Sequence, residues 1–350
     1  MIKICRHFLT SLLLVIIFLG PLRGFQTHPQ AGADTFSIRE ELSIGASEGD
    51  SDYMFTRISD IAVDEMGKIY VLDYSEAVLR IYDPIGKHIQ TIGRRGQGPG
   101  EFMAPFSLGI TADNSILVHD LMNRRINYFS PEGKYIKSAT TADKILVGGD
   151  VDSEGNFISL AFISKPGEQV LELKRFDSRM NDLNSYMTIT KKENESINNP
   201  LGPDFYWCRY LENQVICGYS KTYELHVYHI DGEKVRTIRH EYGPVRITGE
   251  EREALKKGIL AAVEIQTPKY HPAFQGITAD DDGRIFVATW EKPESGVGYW
   301  YDVFNKTGTF IARIMLEYPP RIWKGSKLIT IEENEEGYPV VKRYAVNWKR

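Results

Sequence analysis

The sequence has little cysteine, no dominant charge and no motif for a known catalytic centre, and each shortage excludes a class of protein. Three cysteines in 350 residues are too few for a disulfide-built scaffold. The net charge of -5, with no long run of Lys or Arg, gives no footprint for nucleic acid. Zinc-protease, paired-cysteine and P-loop spacings are all missing from the sequence. The chain is therefore expected to bind no nucleic acid and to carry no familiar catalytic motif.

The N-terminus carries an apolar run that is too short to cross a bilayer comfortably. Phe8–Leu19 has 12 residues and follows a positively charged segment, whereas a transmembrane helix needs about 20. We therefore predict a signal peptide over residues 1–24, with cleavage as late as residue 33, and a linker over 25–35. The protein is expected to be exported to the periplasm, the cell surface or the medium. In the alternative, the segment stays uncleaved and is the chain's contact with the membrane.

What the sequence does contain is a repeat. Asp60–Asp73 (DIAVDEMGKIYVLD) is echoed by Gly276–Ala288 (GITADDDGRIFVA), and each copy reads as strand, glycine turn and strand. A period of roughly 45 residues indicates a propeller of four-stranded blades. A large aromatic residue precedes the second-hairpin turn in five blades, at Tyr82, Phe129, Phe176, Tyr228 and Phe304. Stacking of neighbouring blades requires bulk at one such position.

The repeats predict six blades over residues 36–350. Blades one, two, four and five begin near Ile58, Ser107, Tyr206 and Gly276, and blade three contains Asp152–Phe157. The C-terminus supplies three strands, at Ile314–Glu317, Lys327–Ile331 and Val340–Val346. The N-terminal strand Phe36–Ile44 supplies the missing outer strand and leaves no unpaired sheet edge. The predicted fold class is all-β: a six-bladed β-propeller of four-stranded antiparallel blades, closed by the N-terminal strand, with one helical insertion.

The glycine-rich crossing Gly93–Phe102 resembles the NHL repeat. The matching segments are Gly100-Glu-Phe102, Pro105, Ile61-Ala-Val-Asp64 and Arg125-Ile126. Val78 and Asp60 depart from the repeat, which has Arg and Gly at these positions. The resemblance implies an exported bacterial propeller of six blades. It leaves function open, because such propellers serve as binding scaffolds, lyases and lactonases.

Two long crossings between blades, at residues 190–203 and 243–272, share one face of the predicted disc. Long loops are functional or disordered, and disorder is the alternative for the first. In the second, Thr248 and Glu251 form a capping box that starts a helix. An apolar stripe then follows at helical spacing, at Leu255, Ile259 and Ala262. The helix is expected to cover this face as a lid or, alternatively, to be a packing decoration.

The same face gathers candidate ligand-binding residues. They are Arg94, Arg95, Gln97, Asp73, Asp120, Tyr270, His271 and Trp290. Arginines near an aromatic ring and a histidine suit an anionic or sugar-like ligand. In the alternative, the arginines are surface charge and the two aspartates cap loops. The preferred function is a non-catalytic module without a cofactor that binds a peptide, glycan or partner protein.

The alternative function is a calcium-dependent hydrolase or lyase similar to the lactonases of related six-bladed propellers. That resemblance implies acidic and amide side chains around a cation in the central channel. Here Asp60, Asp150 and Gln275 would contribute ligands. Calcium takes six to eight oxygens, and glycines at neighbouring channel positions leave the ring of ligands incomplete.

Three further residues are assigned structural roles. A two-residue turn at Glu212-Asn213 would set Cys208 opposite Cys217. The register of the first blade pairs Cys208 with Ile216 instead, and it predicts no disulfide. His119 lies inside a strand and is predicted to be a packed core histidine.

Overall fold

The fold was analysed in a computed structural model, which describes residues 35–192, 201–258 and 268–349. The described chain forms six four-stranded antiparallel sheets, as predicted. The first strand is β1 (Thr35–Ile44). Blade one comprises β2 (Ile58–Val63), β3 (Ile69–Asp73), β4 (Val78–Tyr82) and β5 (His88–Ile92). Blade two comprises β6 (Pro105–Ile110), β7 (Ile116–Asp120), β8 (Arg125–Phe129) and β9 (Tyr135–Thr140). Blade three comprises β10 (Ile145–Val151), β11 (Phe157–Lys165), β12 (Glu168–Phe176) and β13 (Asp182–Lys192).

The second half of the chain repeats this order. Blade four comprises β14 (Phe205–Tyr210), β15 (Gln214–Tyr219), β16 (Glu224–His229) and β17 (Lys234–Arg239). The helix α1 (Gly249–Gly258) lies in the next crossing. Blade five comprises β18 (Gly276–Ala279), β19 (Ile285–Ala288), β20 (Tyr299–Phe304) and β21 (Phe310–Leu316). Blade six comprises β22 (Pro320–Lys324), β23 (Lys327–Glu333) and β24 (Pro339–Lys349), with β1 as its outer strand.

The inner strands β2, β6, β10, β14, β18 and β22 surround a central channel, and contacts join most neighbouring pairs of them. The second strand of a blade is covered on both faces by its neighbours. Thus β3 (IYVLD), β7 and β19 are buried along their whole lengths. These strands therefore read as continuous apolar runs rather than as alternating ones.

The predicted aromatic column is confirmed, since all five residues are buried between blades. Phe129 shows how a blade joins the next: its ring centroid is 5.8 Å from that of Phe102, which lies on the incoming crossing. Gly93 makes room for this contact. Its φ is +86°, and a Cβ there would lie 2.3 Å from the Phe102 ring, so only glycine fits.

The N-terminal strand closes the ring, as predicted. β1 pairs antiparallel with β24 from Thr35 opposite Lys349 to Ile44 opposite Val341. The predicted inner strand of blade six was wrong, however. Ile314 belongs to β21 of blade five, where it pairs with Tyr301, and the inner strand is β22. Pro319 lies just before β22 and Pro320 is its first residue, a position where proline is tolerated although it cannot donate to the ladder.

Local predictions on the helix and the cysteines are also confirmed. The Thr248 hydroxyl accepts from the Glu251 amide at 3.1 Å, and the Glu251 carboxylate accepts from the Thr248 amide at 2.8 Å. Cys208 pairs with Ile216, and both Cys208 and Cys217 are free thiols. The signal peptide, nearly all of the predicted linker, most of the 190–203 crossing and the predicted stripe residues Ile259 and Ala262 lie outside the described residues.

Candidate functional site

The candidate ligand residues fall into two groups that no described contact joins. One group follows blades one and two, and the other lies between blades four and five. Within the first group, Asp73 and Asp120 are fully buried and bind backbone amides. Asp73 accepts from the amides of Thr56 and Arg57 on the incoming crossing. Asp120 accepts from the equivalent amides of Met103 and Ala104. In the described conformation, both carboxylates fasten a crossing to a blade and offer no surface to a ligand.

The arginines of the first group are exposed but engaged. The Arg94 guanidinium lies 2.7 Å from the Glu101 carboxylate, and Arg95 donates to the carbonyl oxygen of Ser75. The crossing that carries them is held by Arg125, which donates to the carbonyl oxygens of Gln97, Gly98 and Glu101. The Gln97 side chain is exposed in that crossing. The backbone of this segment is therefore held by Arg125, and the long, charged side chain of Arg94 lies on its surface in an ion pair with Glu101.

The second group contains a stacked pair beneath α1. The His271 ring lies 4.2 Å from Trp290, with 10° between the ring planes. His271 Nε2 is 3.3 Å from the carboxylate of Glu251, the residue that caps α1. Burial lowers the pKa of His271, so its ring is held mainly neutral at pH 7. Trp290 Nε1 and His271 Nδ1 are buried and have no hydrogen-bond partner in the described part of the chain.

Large exposed side chains lie on the segments that carry this stacked pair. Tyr242 and Tyr270 lie between β17 and β18, on either side of α1 in the sequence, Val297 lies in the loop that follows Trp290, and Tyr299 is the first residue of β20. Tyr242 packs on the buried Tyr223, with 5.7 Å between ring centroids. Tyr223 in turn donates to Asp302 at 2.8 Å. Tyr242 is thus held by a buried, hydrogen-bonded ring while part of its own ring is exposed to solvent.

A cavity of about 250 Å³ opens next to the stacked pair, between blades five and six. Gln275 connects the two features, since its Nε2 donates to the carbonyl oxygen of Thr289, the residue before Trp290. The polar and ring-bearing side chains of its wall are Gln275, Thr278, Tyr299, Tyr301, Pro319 and Pro320. This cavity could not be predicted from the sequence, because its wall combines four segments that meet only when two blades stack.

The residues of the calcium hypothesis are not gathered into one cluster. Asp60 accepts from the amides of Ile61 and Leu108. Its burial, with the nearby Asp150 carboxylate, raises its pKa to about 7. Asp150 forms a 2.8 Å ion pair with Arg209, a channel residue that the sequence analysis missed. Within the described ranges, no group of three or more His, Cys, Asp or Glu side chains is placed to hold a metal ion.

Gln275, the third residue of the calcium hypothesis, lines the cavity between blades five and six, and its Nε2 donates to the Thr289 carbonyl oxygen. The described histidine His119 is buried as predicted, packed 5.8 Å from Phe157. Neither residue is brought to the Asp60 and Asp150 carboxylates by any described hydrogen bond. Among the residues discussed, the His271–Trp290 pair and the neighbouring cavity therefore form the best candidate for a ligand-binding site.

Comparisons with known proteins agree with this architecture. No curated protein matches the sequence. A Bacteroides fragilis protein named as an exported protein has a TM-score of 0.60 at 10% identity, covering 90% of this chain and 96% of that chain. A member of the DUF4221 family from Bacteroides vulgatus has a TM-score of 0.51 at 16% identity, covering 89% and 99%. Virginiamycin B lyase from Staphylococcus aureus, at 10% identity and 89% and 99% coverage, has a TM-score of 0.49, too low to bear on activity.

These identities establish the fold alone. In the described segments, no helix is long and apolar enough to cross a membrane. Residues 48–243, more than half of the chain, match the family DUF5128, whose description is 6-bladed beta-propeller. The chain belongs to this family of six-bladed β-propellers.

Proposed function

We propose that this protein is an exported, NHL-like propeller that binds a peptide, glycan or partner protein on the face that carries the 190–203 and 243–272 crossings. One observation carries the proposal. The His271–Trp290 stack lies under α1 with two buried ring nitrogens that have no described partner. A buried donor without a partner is costly, so a ligand whose binding uncovers the Trp290 Nε1–H and supplies an acceptor for it would gain affinity at this place.

The surrounding surface supports a binding role. Tyr242 and Tyr270 are 41% and 40% exposed, although they are large and partly apolar. Tyrosine and tryptophan are enriched at recognition surfaces, because a rigid ring contributes contact area at little entropic cost. The Arg94 segment lies on another pair of blades and, with its ion pair to Glu101, is proposed as a secondary contact at most.

Export is supported by two independent features. The N-terminal segment has the composition and length of a signal peptide. The Bacteroides fragilis structure that shares this fold is named as an exported protein. Mass spectrometry of the N-terminus of the protein, recovered from cell fractions, would test both the export and the cleavage point. An intact Met1 in a cytoplasmic fraction would contradict the proposal.

Binding is tested on a printed array that holds both glycans and peptides. Tyr242→Ala with Tyr270→Ala should weaken array binding about 10-fold or more, as expected when two aromatic contacts are removed. The matched control is Arg94→Ala with Arg95→Ala, which changes two exposed residues on the other blades. Loss of binding in the arginine variant alone would place the site elsewhere. Equal binding by all three proteins would contradict the proposal.

A further inference from the structure

The cavity between blades five and six lies where two small residues, Gly276 and Ala288, take the positions of Asp60 and Leu72 of blade one. Gly276, Ala288 and Tyr301 pair across β18, β19 and β20. In blade one the position of Ala288 is held by Leu72, which is fully buried against the next blade. Replacing a leucine by an alanine at this layer leaves room that the neighbouring blade does not fill. The cavity is thus a local departure from the repeat.

The wall of the cavity combines polar and apolar groups and carries no charged side chain. Thr278, Tyr299 and Tyr301 each contribute a hydroxyl, and none of these hydroxyls has a hydrogen-bond partner in the described part of the chain. The Nε2 of Gln275 donates to the Thr289 carbonyl oxygen, and its Oε1 remains available as an acceptor. Burial raises the pKa of Tyr301, so its hydroxyl stays a donor at neutral pH. The absence of charge favours a neutral ligand.

The remaining wall is formed by rings and aliphatic groups. Tyr299 and Tyr301 are two residues apart on β20, so both project from one side of the sheet. Pro319 and Pro320 add two saturated rings from the start of blade six. The volume of about 250 Å³ is below the roughly 300–1,000 Å³ of sites for drug-sized ligands. It suits one ring rather than an extended molecule.

The unpaired hydroxyl and amide groups lie beside ring faces, and this combination restricts the class of ligand that can occupy the cavity. An apolar side chain of a peptide would fill the volume but would leave these groups without partners, which costs affinity. A pyranose offers hydroxyls around its edge and C–H groups on its faces, so it meets both kinds of wall. We propose that this cavity is a subsite for one neutral pyranose unit, such as the end of a glycan.

This inference rests on the proposed binding function, because it places a glycan on the same face. It is tested on the full chain with methyl glycosides of glucose, galactose, mannose and N-acetylglucosamine, by calorimetry and saturation-transfer NMR. We expect saturable binding of at least one glycoside in the millimolar range. Tyr301→Phe removes a single hydroxyl and should weaken that binding about 2- to 10-fold, the range for one neutral hydrogen bond.

Ala288→Leu provides a second variant that restores the residue of blade one. It should fill the cavity and weaken glycoside binding more than 10-fold, while the melting temperature stays the same or rises. The control is Tyr338→Ala, which removes an exposed tyrosine of blade six that does not line the cavity. It should bind the glycoside like the unchanged protein.

Three results would overturn the subsite. They are no saturable glycoside binding through the tens-of-millimolar range, unchanged binding in Ala288→Leu, and binding of the peptide acetyl-Pro-Pro-Tyr-amide where every glycoside fails. If glycosides fail while array binding still depends on Tyr242 and Tyr270, the subsite is refuted and the binding proposal stands. If glycosides bind and the array shows no such dependence, the binding face was misplaced and the cavity stands.

Discussion

Buried carboxylates join neighbouring blades of this propeller. Asp73 accepts from Thr56 and Arg57 on the incoming crossing and from Ser75 and Glu76 in the following turn. Its second oxygen lies 3.4 Å from the Arg80 guanidinium. One side chain thereby satisfies donors from two segments that would otherwise be buried without partners. The strand-end aspartate is therefore part of the framework.

Removing this carboxylate should be far more costly than removing one in a turn. Asp73→Ala is expected to lower the free energy of unfolding by about 3 to 5 kcal/mol, because it leaves Arg80 and several amides unpaired. The control Asp83→Ala removes an aspartate from an open turn, where it accepts from Ile85 and Lys87. We expect about 1 kcal/mol or less for this control. Similar losses in urea titrations of both variants would refute the framework role.

His119 gives the stability of the protein a predictable dependence on pH. Burial lowers its pKa to about 4, against 6.5 in the unfolded chain. The unfolded state therefore binds the proton first, so this contribution is complete above pH 6.5 and is lost as the pH falls towards 4. Between pH 7.5 and 4.5 the loss should be about 2 to 3 kcal/mol.

His119→Phe removes the titrating group while keeping a ring against Phe157. In urea titrations between pH 7.5 and 4.5, this variant should lose about 2 to 3 kcal/mol less stability than the unchanged protein. Parallel pH profiles for the two proteins would show that His119 is not the responsible group.

At the scale of elements, the start of α1 is fixed by two capping residues that lie three positions apart in the sequence. Thr248 and Glu251 exchange hydrogen bonds, and the same Glu251 carboxylate reaches His271 under the helix. The cap therefore also ties α1 to the stacked pair.

Thr248→Ala should loosen α1 without affecting the propeller. Loss of an N-cap hydroxyl costs about 1 kcal/mol, which corresponds to roughly fivefold faster amide exchange in the first turns of α1. The global melting temperature should not change, because α1 is an insertion between blades. Thr307→Ala, in an exposed turn of blade five, is the control and should leave exchange in α1 unaltered. A fall in global stability with unchanged exchange in α1 would contradict the prediction.

Elements that depend on local chemistry could be predicted from the sequence, and those that depend on stacking could not. The capping box and the register of Cys208 follow from neighbouring residues, and the aromatic column follows from the repeat. The inner strand of blade six was misplaced because β22 is short and begins at Pro320. The strand also lacks the apolar run of other strands. The cavity escaped notice because Ala288 and Tyr301 read as ordinary strand residues until blade six stands beside them.

At the scale of the whole molecule, β1 is the only described strand that is far in sequence from its blade. It covers the edge of β24 along nine residue pairs. Without it, β24 would present a long unpaired edge, which favours association with other chains. Closure of the ring therefore depends on this pairing between the N-terminal and C-terminal strands.

Two truncations that differ by one strand would test this dependence. A chain that begins at residue 35 keeps β1 and should be monomeric with a single cooperative melting transition. A chain that begins at residue 45 lacks β1 and should melt at a lower temperature and self-associate in size-exclusion chromatography. Identical elution and melting of the two chains would show that β1 is dispensable.

The pairing of β1 with β24 also sets the time at which folding can finish. β24 is synthesised after every other described strand, whereas β1 is the first of them. At about 5 to 20 residues per second, β1 waits on the order of 15 to 60 seconds for its partner. Blades one to five can form while the chain is still being made, but the ring cannot close. The propeller therefore remains an open ring, with the inner edge of its last blade still to be made, for most of its synthesis.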